Sequence, residues 1–312
     1  MYETFREKEL YCELMNYVKH ENTELKRLYS SKIYRAGKIF SIMWGIFNSA
    51  GRKAAMKYYK NWNEQRKLKK KFSAVSKTFS YTTPPNYFSN YRIAIYTCII
   101  GKYDNLVEPG IIPDNCDFFI ITDQPVPCET KWKKIDISEY RDLLSGLTNA
   151  EINRFFKMKP DLVFPDYRYS IYLDGNIKPV SDLTEFVNMI GPTGIAAHNH
   201  SIRNDVYKEA EVLRFLKRDK PERIDRHIRY LKSTGMPENY GLIECNVIAR
   251  EHDNPTCKQI MDEWWEEFRN YSKRDQISFI HVLYLNGVDS KEIGTLGDNV
   301  FDNPAIRKVG HS

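Results

Sequence analysis

Hydrophobic positions in residues 91–286 follow two different spacings. Continuous apolar runs at 91–100 (YRIAIYTCII), 117–122 (DFFIIT), 169–173 (YSIYL) and 242–250 (LIECNVIAR) indicate buried strands, with a shorter strand at GIAAH. Apolar residues three or four apart predict helices at 150–158, 181–190, about 203–218, 221–233, 255–271 and 274–286. Continuous apolar strands that alternate with helices are typical of a parallel sheet covered on both faces. The pattern therefore predicts an α/β fold with a Rossmann-like, mostly parallel central sheet flanked by helices.

The first 90 residues have a different pattern. Residues 3–29 predict a polar helix, and basic residues alternate with apolar and aromatic ones over the following segment, to about 63. Residues 66–90 are charged, rich in Ser and Thr, and contain a Pro-Pro pair, which is typical of a linker. We therefore predict three parts: a basic amphipathic helical extension at 1–65, a linker at 66–90 and the main domain at 91–312.

The net charge of +6 is distributed unevenly along the chain. Residues 1–80 contain 18 Lys and Arg against 7 Asp and Glu, whereas the remainder contains 29 against 34. Such asymmetry indicates an appended basic element that faces phosphate, and an anionic membrane surface is the partner that we expect for residues 1–65. The alternatives are a solvated helical face and a helix that packs on the main domain or on a second copy of itself. The apolar segment 39–50 has twelve residues, too few for a spanning helix of about 20.

Cysteine spacing and the N-terminal residues bear on the cellular compartment. The six cysteines have no CxxC spacing, so they indicate neither a zinc site nor a disulfide framework, and a reducing compartment fits. The chain starts with the charged sequence MYETFREKEL, which does not resemble a signal peptide. The expected location is the cytoplasm, with peripheral attachment to the inner face of the plasma membrane.

Asp174-Gly175-Asn176, directly after the predicted strand 169–173, is the first candidate for chemistry. Asp-Gly favours a hairpin turn, but Pro179 and a helix cap at Ser181 follow, so a second ladder strand is disfavoured. Ligands gather at the carboxyl ends of parallel strands. There, the oxygens of Asp174 and Asn176 are suited to a hard divalent cation, and Gly175 allows the backbone to approach a ligand. A carboxylate and an amide form a weak site alone and an adequate one when a diphosphate adds oxygens.

The surrounding segment, NRFFKMKPDLVFPDYRYSIYLDGNIKPVSDLTEF, resembles the donor site of GT-A glycosyltransferases, especially the retaining galactosyltransferase and glycogenin-like families. In this resemblance, Arg154 takes the place of the family's helix arginine and Asp174 that of its first metal-site Asp. Asn176 takes the second position with one negative charge fewer, which weakens the predicted metal site. His311 takes the place of a late metal-binding histidine.

The resemblance continues downstream and covers about residues 91–311. ECNVIAREHDNPTCKQIMDEWWEEF places Asn246 at the family's strand asparagine, and RDQISF places Asp275 and Gln276 at the sugar. YTCIIGKYD, FFIITDQ, YSIYLDGN and RDQISF together resemble a glycosyltransferase-like family first catalogued as a domain of unknown function, found in plants and bacterial polysaccharide gene clusters. The resemblance implies a GT-A-like fold, a UDP-linked nucleotide-sugar donor, and Mn²⁺ or Mg²⁺.

Further candidates lie in the loops after the other strands. The residues Thr97, Lys102, Tyr103 and Asp104 are expected to hold the base and ribose of the donor, with Asp123 and Gln124 beside them; for Tyr103 and Asp104, an ordinary turn is the alternative. His198 and His200 are two residues apart and would share a face, so they are alternate metal ligands. A loop pair satisfied by the backbone is the alternative, and the pattern favours it. Arg203 is expected to contact the donor phosphates or an acidic sugar.

Two carboxylates are candidates for catalysis. Glu244 or Asp275 would act as the general base of an inverting enzyme, whereas a retaining enzyme of the resembled kind places an amide such as Gln276 near the anomeric carbon. The resemblance favours retention slightly, and the residues leave both open. His281 is expected in the core, and DEWWEEF is expected to be an amphipathic helix.

The function that we expect is a metal-dependent glycosyltransferase that acts on a polysaccharide or lipid-linked glycan. One alternative is a catalytically silent binding or scaffold protein, for which Asn176 would mark a lost metal site. The other is a metal-dependent nucleic-acid enzyme, suggested by the basic N-terminal part and the HNH sequence at 198–200. It is disfavoured because the main domain is net acidic and would repel a phosphate backbone. Self-association through the N-terminal helices is a further expectation.

Overall fold

The computed structural model describes residues 91–310. The predicted extension at 1–65, the linker at 66–90 and His311 lie outside the described residues, so the domain boundaries stay predictions.

A seven-stranded sheet forms the centre of the described part, in the order β3-β2-β1-β4-β7-β6-β8. Neighbouring strands are parallel except at β7, which is antiparallel to both β4 and β6. The strands are β1 Ile93–Ile99, β2 Cys116–Thr122, β3 Lys133–Asp136, β4 Tyr169–Leu173, β6 Ile195–Asn199, β7 Ile243–Glu251 and β8 Gly294–Thr295. The mostly parallel α/β sheet predicted from the apolar runs is confirmed. β3 was missed because its residues, KKID, are polar and largely exposed.

Helices and two separate apolar clusters cover the sheet. The helices are α1 Arg141–Leu144, α2 Asn149–Met158, α3 Pro160–Val163, α4 Glu185–Asn188, α5 Val206–Phe215, α6 Pro221–Ser233, α7 Pro255–Asn270 and α8 Asp275–Leu285. One cluster contains Phe156, Trp264 and Phe279 from the long helices, and the other contains Trp132 and Phe186. The strands that contribute to both clusters are therefore buried on both faces, which explains the long, mainly apolar runs in the sequence.

The reversed strand β7 brings its first residues to the edge where the parallel strands end. The Asp174 N–H, just after β4, donates to the Asn246 carbonyl near the start of β7 at 2.8 Å. At the end of β6, His198 is paired with Glu244. The residues predicted for chemistry after β1, β2, β4 and β6 thus lie at one edge of the sheet, together with the start of β7.

The segment after Asp174-Gly175-Asn176 differs from the prediction. The helix expected at 181–190 is α4, which spans only Glu185–Asn188, so Ser181 is not its N-cap. Asp182 accepts the Thr184 N–H at 2.8 Å in a local turn instead. The preceding residues form β5, Ile177–Pro179, which pairs with β9, Ile306–Lys308, in a second sheet. β4 and β5 do not pair, so the hairpin interpretation is excluded.

Across residues 91–310, none of the helices combines the length and the apolar composition that crossing a membrane requires.

Candidate functional site

A group of charged side chains, which we call the charge cluster (Arg154, Lys157, Asp174, Arg274 and Asp275), lies at the carboxyl edge of the sheet. Arg154 and Lys157 are three residues apart on α2 and therefore share a face of that helix. The Lys157 ammonium lies 2.7 Å from Asp275 Oδ2, and Arg154 Nε lies 3.0 Å from the same oxygen. Burial alone would raise the pKa of Asp275, but Arg154, Lys157 and Arg274 outweigh it and hold that pKa well below its usual range. Asp275 is therefore a buried carboxylate matched by fixed cations.

Asp174 is joined to the same cluster and is held by hydrogen bonds on both oxygens. Its Oδ1 accepts the Tyr172 hydroxyl at 3.0 Å and lies 3.4 Å from the Lys157 ammonium, while its Oδ2 accepts Asn246 Nδ2 at 3.0 Å. Burial and the Asp174 charge raise the pKa of Tyr172 well above its ordinary value, so its hydroxyl stays a donor. The Asp174 side chain is still 24% exposed, so it forms part of the site surface.

A buried arginine holds the end of α2, where Lys157 is located. Arg250 is fully buried on β7, and its guanidinium donates to the Lys157 carbonyl and, at 2.6 Å, to the Tyr96 hydroxyl. The Tyr96 hydroxyl in turn donates to the Phe156 carbonyl at 3.0 Å. These contacts satisfy carbonyls that the end of a helix leaves without partners. β1 and β7 thereby fix the turn of α2 that presents Lys157.

The loop after β1 lies against the loops after β2 and β4. The Gly101 N–H donates to Asp123 Oδ1 at 3.0 Å, and both Gly101 and Lys102 have left-handed backbone conformations. A Cβ at Gly175 would lie 3.1 Å from Asp104 Oδ2, so Asp104 borders the triplet and only glycine leaves it this space. Of the residues predicted for donor binding in the loops after β1 and β2, Asp104 and Asp123 therefore lie at this edge of the sheet.

Other predicted donor-binding residues in this region differ in exposure. Tyr103 is 70% exposed. Lys102 is also exposed and Gln124 is half-buried. Thr97 is buried within β1, and its hydroxyl has no hydrogen-bond partner among residues 91–310. Gln276, in the first turn of α8 next to Asp275, is half-buried.

Glu244 lies in a less charged environment than Asp275. It is 8% exposed, and its Oε1 accepts the Ser201 hydroxyl at 3.2 Å. Burial raises the pKa of Glu244 to about 7, although the Lys308 charge and the hydrogen bonds from Ser201 act in the opposite direction. A carboxyl group with this pKa can exchange a proton near neutral pH.

The two histidines predicted as alternate metal ligands belong to separate hydrogen-bond networks. His198 is fully buried, and its Nε2 contacts Asn303 Nδ2 at 2.9 Å. His200 Nδ1 accepts the backbone N–H groups of Ile202 at 3.2 Å and Arg203 at 3.0 Å, as in the backbone-satisfied alternative. Burial lowers the pKa of both histidines to about 4, so both rings are neutral at physiological pH.

Arg203 points into a buried ion pair. Its Nε lies 2.6 Å from Glu209 Oε2, and both side chains are almost completely buried. The structure thus places the Arg203 side chain against Glu209 of α5. A contact between Arg203 and the donor phosphates stays a prediction.

The residues at Asp174 do not suit a divalent cation. The Lys157 ammonium at 3.4 Å from Asp174 Oδ1 would repel one, and Asn176 is neutral and only 2% exposed. Within residues 91–310, a group of three His, Cys, Asp or Glu side chains with metal-ligand spacing is found only at His227, Glu267 and His281. We therefore derive no chemical step through a metal.

The buried group of His227, Glu267 and His281 is better explained as a hydrogen-bond network. Glu267 accepts from His227 at 2.7 Å and from His281 at 2.8 Å, and the other ring nitrogens contact Ser272 at 2.8 Å and Thr234 at 2.9 Å. All four ring nitrogens have protein partners, which fixes α6, α7 and α8 together. The core position predicted for His281 and the amphipathic helix predicted for DEWWEEF are confirmed. The burial of Glu267 was missed.

Sequence reasoning missed Lys157, Tyr172 and Ser201 at the site. Lys157 is three residues after Arg154, so helical spacing places both on one face. Tyr172 is two residues before Asp174, so strand alternation places them on one face. Both signals are visible in the sequence, whereas the contact of Ser201 with Glu244 depends on the pairing of β6 with β7.

Charged side chains at the carboxyl edge of a mostly parallel α/β sheet are typical of proteins that bind nucleotides and other phosphate-bearing ligands. Residues 131–309 match the family described as TOD1/MUCI70, glycosyltransferase-like domain. This match covers more than half of the 312 residues, and the chain belongs to that family. It includes Arg154, Lys157, Asp174, Glu244 and Asp275. The resemblance to a glycosyltransferase-like family stated from the sequence is confirmed.

Individual relatives are more distant. The probable hexosyltransferase MUCI70 of Arabidopsis thaliana is 31% identical over an alignment of 132 residues. The alignment covers 38% of this chain and 22% of that protein. The chain thus spans about a fifth of the length of this curated relative. Among solved structures, the bifunctional glycosyltransferase WbbM has a TM-score of 0.44 at 11% identity, over 72% of this chain and 46% of that one. Mouse xyloside xylosyltransferase 1 has a TM-score of 0.39 at 9% identity, over 65% and 83%.

Proposed function

We propose that this protein is a glycosyltransferase that moves a sugar from a nucleotide-sugar donor to a hydroxyl group of a glycan acceptor. The family supports the class of reaction, and the observation that carries the proposal is the charge cluster at the carboxyl edge of the sheet. A UDP-linked donor and a polysaccharide or lipid-linked acceptor are the finer proposals, and they rest on the resemblance of the donor-site segment.

In this proposal, the Arg154 side chain binds the diphosphate of the donor, and Lys157 contributes its charge from beneath the site surface. Negative charge develops on the leaving diphosphate as its bond to the sugar breaks, and fixed cations that face it lower the barrier. The Arg154 side chain is 25% exposed beside Asp275, so part of this side chain reaches the surface at this edge. Asp275 orients Arg154 and Lys157, and Asp174 borders the same surface.

Glu244 is the general base that we propose. Among the carboxyl groups of residues 91–310 whose pKa is clearly shifted, Glu244 is the one whose pKa is raised on balance, to about 7. A base must accept the proton of the acceptor hydroxyl while the hydroxyl oxygen attacks the anomeric carbon and the bond to the diphosphate breaks. Such a single displacement inverts the configuration at the anomeric carbon. The proposed role of Glu244 as the base therefore implies an inverting enzyme, whereas the resemblance favours retention slightly.

Attachment to a membrane also belongs to the proposal. The excess of Lys and Arg in residues 1–80 supports binding of the basic extension, residues 1–65, to an anionic membrane surface. The proposed location is accordingly the cytoplasmic face of the plasma membrane, near a lipid-linked or growing polysaccharide acceptor.

A screen of nucleotide sugars tests the function. The purified full chain is incubated with each donor, and release of the nucleoside diphosphate is measured with and without glycan acceptors. We expect release from at least one donor, and we expect Asp275→Asn to reduce the rate by about tenfold to a hundredfold, because Arg154 and Lys157 lose their shared partner. Asp262→Asn is the matched control, since Asp262 is an exposed residue of α7 that pairs with Lys159.

Binding of no nucleotide sugar by the intact chain would contradict the proposal and would favour the silent scaffold. A rate that falls equally in Asp262→Asn and Asp275→Asn would contradict the role of the charge cluster.

A further inference from the structure

Lys157 is a buried ammonium group placed between two carboxylates. Its side chain is 1% exposed, and its Nζ lies 2.7 Å from Asp275 Oδ2 and 3.4 Å from Asp174 Oδ1. The same Nζ lies 4.9 Å from the centre of the Tyr172 ring, within the range of a cation–π contact. A charge this deeply buried is stable only when opposite charges compensate it. Lys157 therefore lies between Asp174 and Asp275 as their shared counter-ion.

Within residues 91–310, the charge cluster itself carries no excess of negative charge. The charge cluster contains three cations and two carboxylates, and Arg274 is close enough to lower the pKa of Asp275. Hard divalent cations bind where several oxygen ligands carry an excess of negative charge. Asn176 adds no charge and is almost completely buried. The electrostatics at Asp174 therefore disfavour a divalent cation.

We propose that Lys157 takes the place of the divalent cation at this site, so that the protein binds a nucleoside diphosphate without a metal ion at Asp174. Lys157 is a positioning residue: it is too buried to reach a ligand, and it neutralises Asp174 and Asp275. With both carboxylates neutralised, the partly exposed Arg154 side chain is available to the diphosphate. The diphosphate ligand rests on the proposed function, whereas the absence of a metal at Asp174 does not.

Titration with Mn²⁺ alone tests the metal part without any nucleotide. The full-length wild-type chain and Asp174→Asn are titrated with Mn²⁺ by calorimetry, and thermal unfolding is compared in EDTA and in Mn²⁺. We expect no stoichiometric binding that depends on Asp174 and no Mn²⁺-induced rise of the unfolding temperature. Binding of one Mn²⁺ per chain that is lost in Asp174→Asn would overturn the proposal.

Titration with UDP tests the diphosphate part. We expect the wild-type dissociation constant for UDP to agree within about twofold between EDTA and Mn²⁺. Loss of UDP binding in EDTA with recovery in Mn²⁺ would overturn the proposal. If UDP binds under neither condition, the UDP-linked donor is excluded while the donor screen still tests the proposed function, and the Mn²⁺ titration still decides the metal part.

Lys157→Met is the informative variant because it removes the charge and nearly keeps the length of the side chain. We expect it to weaken UDP binding in EDTA by at least about tenfold and to gain Mn²⁺ binding, because Asp174 and Asp275 lose their shared cation. Lys159→Met, which removes the partner of the exposed Asp262, is the control. It should change neither UDP binding nor Mn²⁺ binding. A folded Lys157→Met that binds UDP as the wild type does and gains no Mn²⁺ would contradict the proposal. If this variant does not fold, the wild-type titrations decide.

Discussion

Two carboxylates at one edge of the sheet have pKa values shifted in opposite directions. Asp275 is buried among Arg154, Lys157 and Arg274, and the cations hold its pKa well below the usual range. Glu244 is buried with weaker compensation, and its pKa is raised to about 7. When the environments of two carboxyl groups shift their pKa values in opposite directions, one group stays an anion and the other exchanges protons near neutral pH. Residue type alone shows neither direction, because the neighbours come from distant parts of the chain.

Glu244→Gln separates catalysis from stability at this residue. We expect sugar transfer to fall by about a hundredfold or more, because a general base contributes that much. A carboxyl group whose folded pKa is raised from 4.5 to about 7 costs stability as the pH rises through this range, since the folded state must lose a proton that burial favours. Glutamine mimics the protonated form, so the variant should be more stable than the wild type at pH 8. This difference in the free energy of unfolding should be smaller at pH 5.

Transfer rates and thermal unfolding at both pH values check this prediction. Glu251→Gln is a suitable control because Glu251 lies at the other end of β7, paired with Arg168. Equal transfer by Glu244→Gln and the wild type would exclude Glu244 as the base.

At the scale of elements, the triplet Asp174-Gly175-Asn176 shows what local sequence can and cannot predict. The hairpin was correctly disfavoured, because β4 and β5 belong to different sheets, but Pro179 did not prevent a strand, since it lies in β5 and pairs with Ile306 of β9. The helix after the triplet was predicted too long, because β5 pairs with β9 and Ser181 N–H donates to the Ala305 carbonyl at 3.2 Å. That pairing joins distant segments, so no local pattern announces it. Helix and strand periodicity, by contrast, placed the longer elements well.

Arg250 connects two elements and is expected to matter for both stability and function. Arg250→Met would leave the Lys157 carbonyl and the Tyr96 hydroxyl without a buried donor, at a cost of about 1–3 kcal/mol in the free energy of unfolding. The last turn of α2 would also lose a constraint, so UDP binding should weaken. Chemical denaturation and calorimetry measure the two effects. Tyr96→Phe keeps the guanidinium on the Lys157 carbonyl and should weaken UDP binding less than Arg250→Met does.

For the whole molecule, the sequence predicted the sheet edge better than the contacts within it. Continuous apolar runs implied a parallel sheet, and the carboxyl-end rule then placed Asp174, Asp104 and Asp123 at one edge. Strand order and the reversal of β7 depend on long-range pairing, so the environment of Glu244 could not be predicted. Arg203 illustrates the limit: a loop arginine next to a predicted site is paired with Glu209 in the fold.

Three buried histidines make the stability of the whole protein depend on pH. Burial lowers the pKa values of His198, His200 and His252 from 6.5 to about 4. The unfolded chain therefore binds more protons than the folded one between these values, so stability is complete above pH 6.5 and is lost as the pH falls toward 4. Glu244 acts in the opposite direction between about pH 7 and 4.5, but it is one group against three. We expect a net loss on the order of a few kcal/mol between pH 6.5 and 4.

Urea denaturation at intervals between pH 7 and pH 4 measures this loss. His252→Asn provides the control, because His252 is buried with its Nε2 2.8 Å from Ser170 Oγ and lies apart from the charge cluster. This variant loses one of the three titrating groups, so its free energy of unfolding should fall less steeply with decreasing pH than that of the wild type. An unfolding free energy that stays constant or rises as the pH falls from 6.5 to 4 would show that these rings are not held neutral in the folded protein. The neutral histidine networks around His198 and His200, which join β6 to the rest of the site edge, would then need a different explanation.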